Sequence, residues 1–371
     1  MTPTEPVRVL IVDDSALMRK LLADVLGTAP EIAVVGSARD GAEAVAQAMR
    51  LKPDVVTLDV EMPGVSGLDA LPLLLAAHDL AVIMVSSFTH EGADVTLAAL
   101  ERGAIDFFPK PDRHQLTHLR ESRDLLVSKI LAAASIRGQR PRVAPGPPPP
   151  DHIPLPRPRP RSAAAPNATR TAETEIDLAI AIPITHFVVI GISTGGPQAL
   201  GRVLPMLVAP TPPVLIVQHM PAQFTSVFAQ RLHRTCHVAV KEAEEGDRLV
   251  ANRILIAPGG RHMLVTGRIQ NARIGLSDEP PVSGHKPSVD VLFQSAAKVF
   301  QGAAVGVIMT GMGRDGVDGC KAILAAGGST FGQDEATSVV YGMNKAAYLE
   351  GVLTSQFALE QLPALIKRFM S

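Results

Sequence analysis

A serine in a glycine-rich turn is the first candidate for chemistry in this chain. Ser193 lies in residues 191–196 (GISTGG), directly after the apolar run 187–190, which predicts a buried strand. Pro197 and the residues after it predict the first turn of a helix. A strand-to-helix turn of this kind exposes a hydroxyl, and the helix start offers free N–H groups for an oxyanion. The same turn can also bind a phosphate or bind nothing, so the nucleophile interpretation requires a base nearby.

A histidine and an aspartate follow two other apolar runs. His219 comes directly after residues 214–218, and Asp315 lies in residues 310–316 (TGMGRDG), after a further run. Because the carboxyl ends of parallel strands share one edge of a doubly wound sheet, these side chains and Ser193 can converge. A serine nucleophile needs a histidine base and a carboxylate that orients the base. The three residues therefore form a candidate catalytic triad.

Other histidines and carboxylates offer a competing arrangement. An α/β-hydrolase has the chain order serine, acid, histidine, which here requires Asp247 or Asp278 followed by His262 or His285. Neither pair follows obvious neighbouring strands, so this arrangement is disfavoured. His262 and His285 can instead be substrate contacts. Asp318 lies at the start of a predicted helix, where a carboxylate interacts favourably with the helix dipole.

A second group of polar residues lies at strand ends in the N-terminal half. Asp13 and Asp14 follow the first predicted strand, Asp59 the third, Ser86 the fourth and Lys110 the fifth. Three carboxylates at one edge repel each other unless a cation is present, and a hard divalent ion such as Mg²⁺ prefers oxygen ligands. The alternative is that the aspartates only cap helices, which leaves the hydroxyl and the lysine at the neighbouring strand ends unexplained.

The elements that position the N-terminal group alternate between strand and helix, which predicts a doubly wound, flavodoxin-like parallel sheet. The predicted strands are residues 7–12, 32–35, 55–58, 81–85 and 105–108. The predicted helices are residues 16–26, 42–50, 68–77, 93–102 and 115–134.

The C-terminal half repeats this alternation and predicts a second α/β domain with a mainly parallel sheet. The predicted strands are residues 187–190, 214–218, 254–257, 304–309 and 329–333, with 238–240 and 263–269 as smaller or edge strands. The predicted helices are residues 198–207, 224–233, 289–300, 316–326 and 359–369.

A proline-rich stretch separates the two halves. Residues 147–150 are four prolines, and residues 154–161 alternate proline with leucine or arginine. Such sequences favour extended polyproline II, a semi-rigid spacer. We interpret the stretch as a solvated tether, with docking of its arginines on an acidic surface as the alternative. The expected organisation is a domain at 7–125, a linker at 138–183 and a domain at 184–371.

Composition limits the classes of protein that fit. The 371 residues carry a net charge of −1, which argues against general nucleic-acid binding. The two cysteines, Cys236 and Cys320, have no zinc-site spacing, and the N-terminus does not resemble a signal peptide. The most apolar window, residues 71–85, is interrupted by Pro72 and by polar residues, so no membrane insertion is expected. These features predict a cytoplasmic location.

Four short motifs in the N-terminal half resemble a response-regulator receiver domain. They are VDD at 12–14, LDVEMPG at 58–64, VSS at 85–87 and FPKP at 108–111. The resemblance implies that Asp59 is the phosphoacceptor and that Ser86 and Lys110 contact the phosphoryl group. It further implies a Mg²⁺ site and a switch aromatic, with the following residues: Asp13, Asp14, Asp59 and the Glu61 carbonyl for Mg²⁺, and Phe107 for the switch.

Five motifs in the C-terminal half resemble the CheB-type chemotaxis methylesterases. They are GISTGGP at 191–197, QHMP at 218–221, APGG at 257–260, KPSVDVLF at 286–293 and TGMGRDG at 310–316. The resemblance implies Ser193 as nucleophile, His219 as general base and acid, and Asp315 as the group that orients His219. It also implies the backbone N–H of Met312 as an oxyanion donor, and the helix-start geometry suggests that of Thr194. Residues 341–344 (YGMN) depart from the family, which usually has proline in place of Asn344.

The combined resemblance implies a phosphorylation-activated hydrolase that acts on methyl-accepting chemotaxis receptors. It would remove methyl groups from glutamate γ-methyl esters and deamidate glutamines, with a chemotaxis histidine kinase as phosphodonor and no cofactor in the esterase site. The unphosphorylated receiver is expected to cover the Ser193 edge.

Two other classes of protein fit the sequence less well. A DNA-binding response regulator needs a basic helix-turn-helix after the receiver, and the glycine-rich α/β pattern does not supply one. A non-catalytic adaptor would lack a member of the triad, and all three residues are present.

Overall fold

The computed structural model describes residues 5–87, 89–110, 123–136 and 184–370. The predicted linker at 138–183 lies outside the described residues, as do residues 115–122 of the last predicted receiver helix. The described residues on the two sides of the linker belong to a single packed unit. Direct contacts between the N-terminal and C-terminal halves can therefore be followed residue by residue.

The N-terminal half is a five-stranded sheet in which every pairing is parallel. Its strands are β1 (Val7–Val12), β2 (Ile32–Ala38), β3 (Val55–Asp59), β4 (Ala81–Ser86) and β5 (Asp106–Pro109). The spatial order is β2-β1-β3-β4-β5. This order is the doubly wound, flavodoxin-like arrangement that the alternating pattern predicts, so that prediction is confirmed.

Helices cover both faces of this sheet. They are α1 (Ala16–Leu26), α2 (Gly41–Leu51), α3 (Gly67–Ala77), α4 (His90–Glu101) and α5 (Arg123–Ser135). The first four begin after a short polar residue whose side chain accepts a hydrogen bond from the first turn, the usual helix N-cap. Helix α5 packs Leu126, Ile130 and Ala133 into the sheet core, so the packed structure continues past residue 125, where the domain boundary is predicted.

The C-terminal half is built on a seven-stranded sheet in which every pairing is parallel. Its strands are β6 (Phe187–Ile192), β7 (Val214–Gln218), β8 (Ala239–Glu242), β9 (Arg253–Ile256), β12 (Ala304–Ile308), β13 (Ser329–Gln333) and β14 (Ser355–Phe357). Their order is β14-β13-β12-β6-β7-β9-β8. A separate antiparallel hairpin is formed by β10 (His262–Thr266) and β11 (Arg273–Ser277).

The helices of this half match the sequence pattern closely but not completely. They are α6 (Gly196–Val203), α7 (Ala222–Thr235), α8 (Val289–Phe300), α9 (Val317–Ala325), α10 (Met343–Leu349) and α11 (Leu362–Lys367). The pattern does not predict β11, α10 or β14. The strand predicted at 263–269 ends at Thr266 and pairs with β11 outside the main sheet. All three missed elements are short, and short elements carry little periodic signal.

The core of the C-terminal half lies on both faces of its sheet. Every residue of β6, β7 and β12 is buried, as parallel strands with helices on both sides require. Phe187 of β6 stacks on Phe300 of α8 with 3.8 Å between ring centroids. Across the described ranges, no helix is both long and apolar enough to traverse a bilayer.

Asn344, which departs from the family pattern, supports the start of α10. Its side chain is fully buried, and its amide donates to the Gln333 carbonyl at 2.8 Å and to Ser338 Oγ at 2.7 Å. A proline cannot make either bond. The asparagine therefore connects α10 to β13 through hydrogen bonds of its own.

We predict that Asn344→Ala lowers the free energy of unfolding by about 1–3 kcal/mol, because the buried Gln333 carbonyl and the half-buried Ser338 hydroxyl lose their donor. Chemical denaturation measures this change, followed by circular dichroism because the chain contains no tryptophan. The matched control is Asn271→Ala in an exposed turn, which should change stability by less than about 0.5 kcal/mol. Equal effects of the two substitutions would contradict a supporting role for Asn344.

Candidate functional sites

The C-terminal site forms where the connections of the sheet reverse direction. Strand β6 lies between β7 and β12, and the chain leaves these three strands at the same edge. The Ser193 N–H donates to the Thr310 carbonyl at 2.9 Å, and the His219 N–H donates to the Ile192 carbonyl at 3.1 Å. The loops that carry Ser193, His219 and Asp315 are thus tied together at the topological switch point.

Ser193 follows β6 in a turn that depends on glycine. Gly195 has φ +77°, a left-handed conformation that other residues rarely adopt, and α6 begins at the next residue. Gly311, in the loop after β12, lies against the serine: a Cβ built on it would be 2.6 Å from Ser193 Cβ. The close approach of these two loops therefore requires a residue without a side chain at position 311.

The pair formed by His219 and Asp315 is the best-defined contact in the site. His219 Nε2 lies 2.8 Å from Asp315 Oδ2, and the aspartate side chain is buried. Asp315 also accepts hydrogen bonds from Ser288 Oγ and from the backbone N–H groups of Val289 and Asp290, at 2.8, 2.7 and 3.0 Å. Burial alone would raise the pKa of Asp315, but the hydrogen bond and charge of His219 and these N–H donors lower it to about 2.

This arrangement decides which ring nitrogen of His219 can act as a base. An ionised Asp315 only accepts hydrogen bonds, so His219 Nε2 carries the proton and Nδ1 has a free lone pair. Among the described residues Nδ1 is buried and has no hydrogen-bond partner, and no hydrogen bond joins His219 to Ser193. The ring is thus oriented by the carboxylate and retains a nitrogen that can take a proton.

The two residues expected to supply oxyanion donors are Thr194, which follows Ser193, and Met312, which follows Gly311, the glycine that packs against Ser193. The Thr194 carbonyl accepts a hydrogen bond from Thr310 Oγ1 at 2.9 Å. Within the described ranges, the N–H groups of Thr194 and Met312 donate to no protein atom. Both groups therefore remain available for a negative oxygen that develops near Ser193.

Several residues considered in the sequence have other roles in the structure. His262 is 1% exposed; its Nε2 donates to the Pro280 carbonyl and its Nδ1 accepts from the Ser288 N–H, so its interpretation as a substrate contact is wrong. Asp247 binds Lys241, and Asp278 binds Arg261, so neither carboxylate orients a histidine.

The site also contains two residues, Gln218 and Ser288, whose place in it does not follow from the sequence pattern. Gln218 Nε2 donates to the carbonyls of Ser193 and His219, at 3.0 and 3.2 Å, and so joins two loops of the site. Ser288 caps α8 and also binds Asp315. The capping role is visible in the sequence as a serine before an apolar helix, but the contact with Asp315 depends on tertiary packing.

The N-terminal site brings its predicted acidic residues together. Carboxylate oxygens of Asp13, Asp14 and Asp59 lie within 4.8 Å of one another. Lys110 Nζ lies 2.8 Å from Asp13 Oδ2 and 2.6 Å from Asp59 Oδ2. Burial raises the pKa of Asp59 to about 6; Lys110 opposes this rise and the neighbouring Asp13 adds to it. Three carboxylates beside one lysine offer oxygen ligands and a net negative charge, which suit a hard divalent cation such as Mg²⁺.

The other predicted residues of this site surround the cluster. The Glu61 N–H donates to Asp59 Oδ1 at 3.3 Å, so Glu61 lies beside the expected phosphoacceptor. Ser86 is fully buried at the end of β4, and its hydroxyl donates to the Gly92 carbonyl at 3.3 Å. In this state the Ser86 hydroxyl is thus bound to α4 rather than to the acidic cluster.

The two candidate sites are connected by β5. Asp106, at the start of this strand, accepts a hydrogen bond from Thr194 Oγ1 at 2.7 Å and pairs with Lys129 of α5 at 2.5 Å. Phe107 stacks on Phe224 of α7, with 4.4 Å between ring centroids. Lys110, which binds the acidic cluster, follows directly after the other end of the strand.

Further contacts join the two halves on either side of β5. Gln198 of α6 donates to the carbonyls of Ala104 and Ile105, at 2.7 and 3.2 Å. Arg231 of α7 binds Asp94 and Glu101 of α4, at 2.7 and 2.6 Å. The N-terminal half therefore contacts both the loop of Ser193 and the helix that follows His219.

Comparison with known families identifies both halves of the chain. The family model for the response regulator receiver domain matches residues 9–120, and the model for the CheB methylesterase matches residues 188–366. The class of the protein is thus a receiver domain followed by a CheB methylesterase domain, as the sequence motifs indicate.

Curated relatives match over almost the whole chain. A protein-glutamate methylesterase/protein-glutamine glutaminase of Koribacter versatilis is 44% identical over 98% of this chain and 96% of its own length. One from Pyrococcus horikoshii is 41% identical over 97% of this chain and 92% of its own. The chain therefore belongs to the CheB family of protein-glutamate methylesterases/protein-glutamine glutaminases.

Solved structures cover each half separately. The CheB methylesterase catalytic domain of Thermotoga maritima shares 34% identity, covering 50% of this chain and 97% of that structure, with a TM-score of 0.48. The response regulator domain of Thermotoga maritima CheB shares 46% identity, covering 35% of this chain and 98% of that structure, with a TM-score of 0.33.

We predict that Gly311→Ala lowers the free energy of unfolding by about 1–3 kcal/mol, because the added methyl group overlaps Ser193 Cβ and Met343 Sδ. Thermal or chemical denaturation measures the change. Gly201→Ala is the matched control: Gly201 is exposed in α6 with open space around it, so alanine should raise stability by about 0.5–1 kcal/mol. A stabilised Gly311→Ala variant would contradict the close packing described for the two loops.

Proposed function

We propose that this chain hydrolyses glutamate γ-methyl esters on chemotaxis receptors through an acyl-enzyme on Ser193. The observation that carries the proposal is the 2.8 Å hydrogen bond between His219 and Asp315. This bond orients the histidine at the sheet edge where Ser193 lies. Support also comes from the curated relatives, whose names give this activity together with protein-glutamine glutaminase activity.

The reaction begins with proton transfer from Ser193 Oγ to His219 Nδ1 as the serine oxygen bonds to the ester carbonyl carbon. Asp315 stabilises the resulting imidazolium through its hydrogen bond to Nε2. The tetrahedral intermediate collapses, the carbon–oxygen bond to the methoxy group breaks, and His219 returns the proton so that methanol leaves.

Water then attacks the acyl-enzyme as the new nucleophile, and Ser193 Oγ becomes the leaving group. His219 takes a proton from water and returns it to Ser193 Oγ, which leaves a glutamate carboxylate on the receptor. In the glutaminase reaction the leaving group is ammonia instead of methanol. The N–H groups of Thr194 and Met312 hold the negative oxygen of each tetrahedral intermediate, and a donor of this kind contributes about 3 kcal/mol in comparable sites.

The receiver supplies control through Asp59. We propose that a histidine kinase donates the phosphoryl group: a bond forms between phosphorus and an Asp59 oxygen as the bond to the histidine nitrogen breaks. Asp13, Asp14, Asp59 and the Glu61 carbonyl would hold Mg²⁺, which supplies charge neutralisation for the phosphoryl group. Lys110 adds a second positive charge.

The contacts of β5 suggest how this control reaches Ser193. In the unphosphorylated state the receiver binds Thr194 through Asp106 and stacks Phe107 on Phe224. When Asp59 is phosphorylated, Ser86 and Lys110 turn to the phosphoryl group and Phe107, the expected switch aromatic, leaves Phe224. The interface is then weakened and receptor segments gain access to Ser193. We propose that the protein acts in the cytoplasm, a reducing compartment that suits its two free cysteines.

The primary test measures methanol release from membranes that carry receptors with labelled methyl esters. We predict release by the wild-type chain in the presence of Mg²⁺ and a small-molecule phosphodonor, and loss of release in Ser193→Ala, because the serine oxygen forms the acyl bond. Phosphorylation of Asp59 should persist in that variant, and a circular dichroism spectrum like that of the wild type would show that its C-terminal half is folded. Release by Ser193→Ala near the wild-type rate would refute the assignment.

A second test addresses the interface between the halves. We predict that Arg231→Ala raises methanol release without phosphodonor by about two- to fivefold, since the ion pairs with Asp94 and Glu101 are lost. Release with phosphodonor should stay unchanged. The matched control is Arg202→Ala, which removes an arginine that pairs with Glu360 inside the C-terminal half at 2.7 Å. This variant should leave the ratio of the two rates unaltered.

Asp59→Ala should lose all stimulation of methanol release by phosphodonor, and full stimulation of that variant would contradict the control mechanism.

A further inference from the structure

A second imidazole lies directly against the proposed base. The ring of His285 is nearly parallel to that of His219, at 6°, and the two ring centroids are 3.8 Å apart. The distance and the angle are those of stacked aromatic rings, which attract each other beyond the area they bury. The sequence motif around Lys286 does not by itself indicate this contact, because the two histidines are far apart in the chain.

The backbone of His285 is fixed in place. It closes a two-residue hairpin in which the Val282 and His285 N–H groups each donate to the other residue's carbonyl, at 3.1 and 2.9 Å. Ser283 and Gly284 between them have φ of +52° and +78°, as a type I′ turn requires. The Lys286 carbonyl is also bound, by the Gly260 N–H at 3.1 Å. His285 is thus presented to His219 from a rigid segment.

The same segment fixes Asp315. Immediately after His285, residues Ser288, Val289 and Asp290 donate the hydrogen bonds that hold the carboxylate. One continuous segment therefore restrains the His219 ring in two ways. It supplies the imidazole that stacks on the ring plane, and it holds the Asp315 carboxylate that binds Nε2. The direction in which Nδ1 points follows from the two constraints together.

The charge state of His285 suits this position. Burial lowers its pKa to about 4, and the positive charges of His219 and Lys129 act in the same direction, while Asp315 opposes them. His285 is therefore neutral near pH 7 and cannot compete for the proton that His219 takes. A neutral ring stacked on an imidazolium attracts it through the negative face of its π system, whereas a second imidazolium at this distance would repel it.

We propose that His285 is a positioning residue that holds the His219 ring, by stacking, in the orientation needed for proton transfer from Ser193. This inference rests on the proposed function, since it assigns a role within the same reaction. It differs from the interpretation of His285 as a substrate contact, because the stacking acts on the base and requires no ring nitrogen to touch the substrate.

The test compares two substitutions in the full chain, with Mg²⁺ and phosphodonor and with labelled methylated receptor membranes as substrate. His285→Ala should lower kcat by about tenfold to a hundredfold with little change in KM, because a displaced base slows proton transfer without weakening binding. His285→Phe keeps a stacked ring without ring nitrogens and should restore kcat to within about threefold of wild type. His237→Ala, which removes an exposed histidine, should behave as wild type.

Each contrary result has a defined meaning. If His285→Phe is as slow as His285→Ala, or if either raises KM rather than lowering kcat, then a ring nitrogen contacts the substrate and the stacking role is wrong. If His285→Ala keeps the wild-type kcat, the residue does not position the base. Thermal unfolding of each variant should match the wild type, which excludes a general loss of structure as the cause. A wild-type chain that releases no methanol would instead refute the proposed function itself.

Discussion

The buried carboxylate of Asp315 is the constraint on which the rest of the C-terminal site depends. An ionised group in the interior is costly unless its oxygens are fully bound, and here four donors share them: His219, Ser288 and two backbone N–H groups. Those donors come from the loop after β7 and from the start of α8. The charge therefore draws separate parts of the chain to one point and fixes the tautomer of the histidine.

The same loops meet a second requirement, which is steric. The loop after β6 and the loop after β12 approach so closely that position 311 has no room for a side chain, and the turn after Ser193 needs the left-handed conformation of Gly195. Electrostatic and steric demands thus act on the same few residues. The parallel sheet provides the frame, because it delivers three adjacent loops to one edge at fixed spacing.

Much of this arrangement can be predicted from the sequence because it follows from local rules. Alternating apolar runs define the parallel strands, and the polar residue after each run falls at a shared edge, which is how Ser193, His219 and Asp315 can be grouped without a structure. The acidic cluster around Asp59 follows in the same way.

Contacts between residues far apart in the chain are beyond such rules. The stacking of His285 on His219, the bond between Thr194 and Asp106, and the burial of His262 all depend on how whole elements pack. Element α10 was missed for a related reason. It has 7 residues, among which only Met343 and Ala347 form a buried apolar spacing, and its start is also held by the side chain of Asn344.

Strand β5 contacts both sites, so any coupling between them must act in both directions. Its start binds the loop of Ser193 through Asp106, and Lys110 beyond its end binds Asp59. If phosphorylation of Asp59 weakens the contact of the receiver with the Ser193 loop, then loss of that contact must favour phosphorylation of Asp59 by the same factor. A receptor segment that occupies the Ser193 cleft and displaces the receiver must favour the phosphorylated form of Asp59. The substrate would in that way act as an effector of its own enzyme.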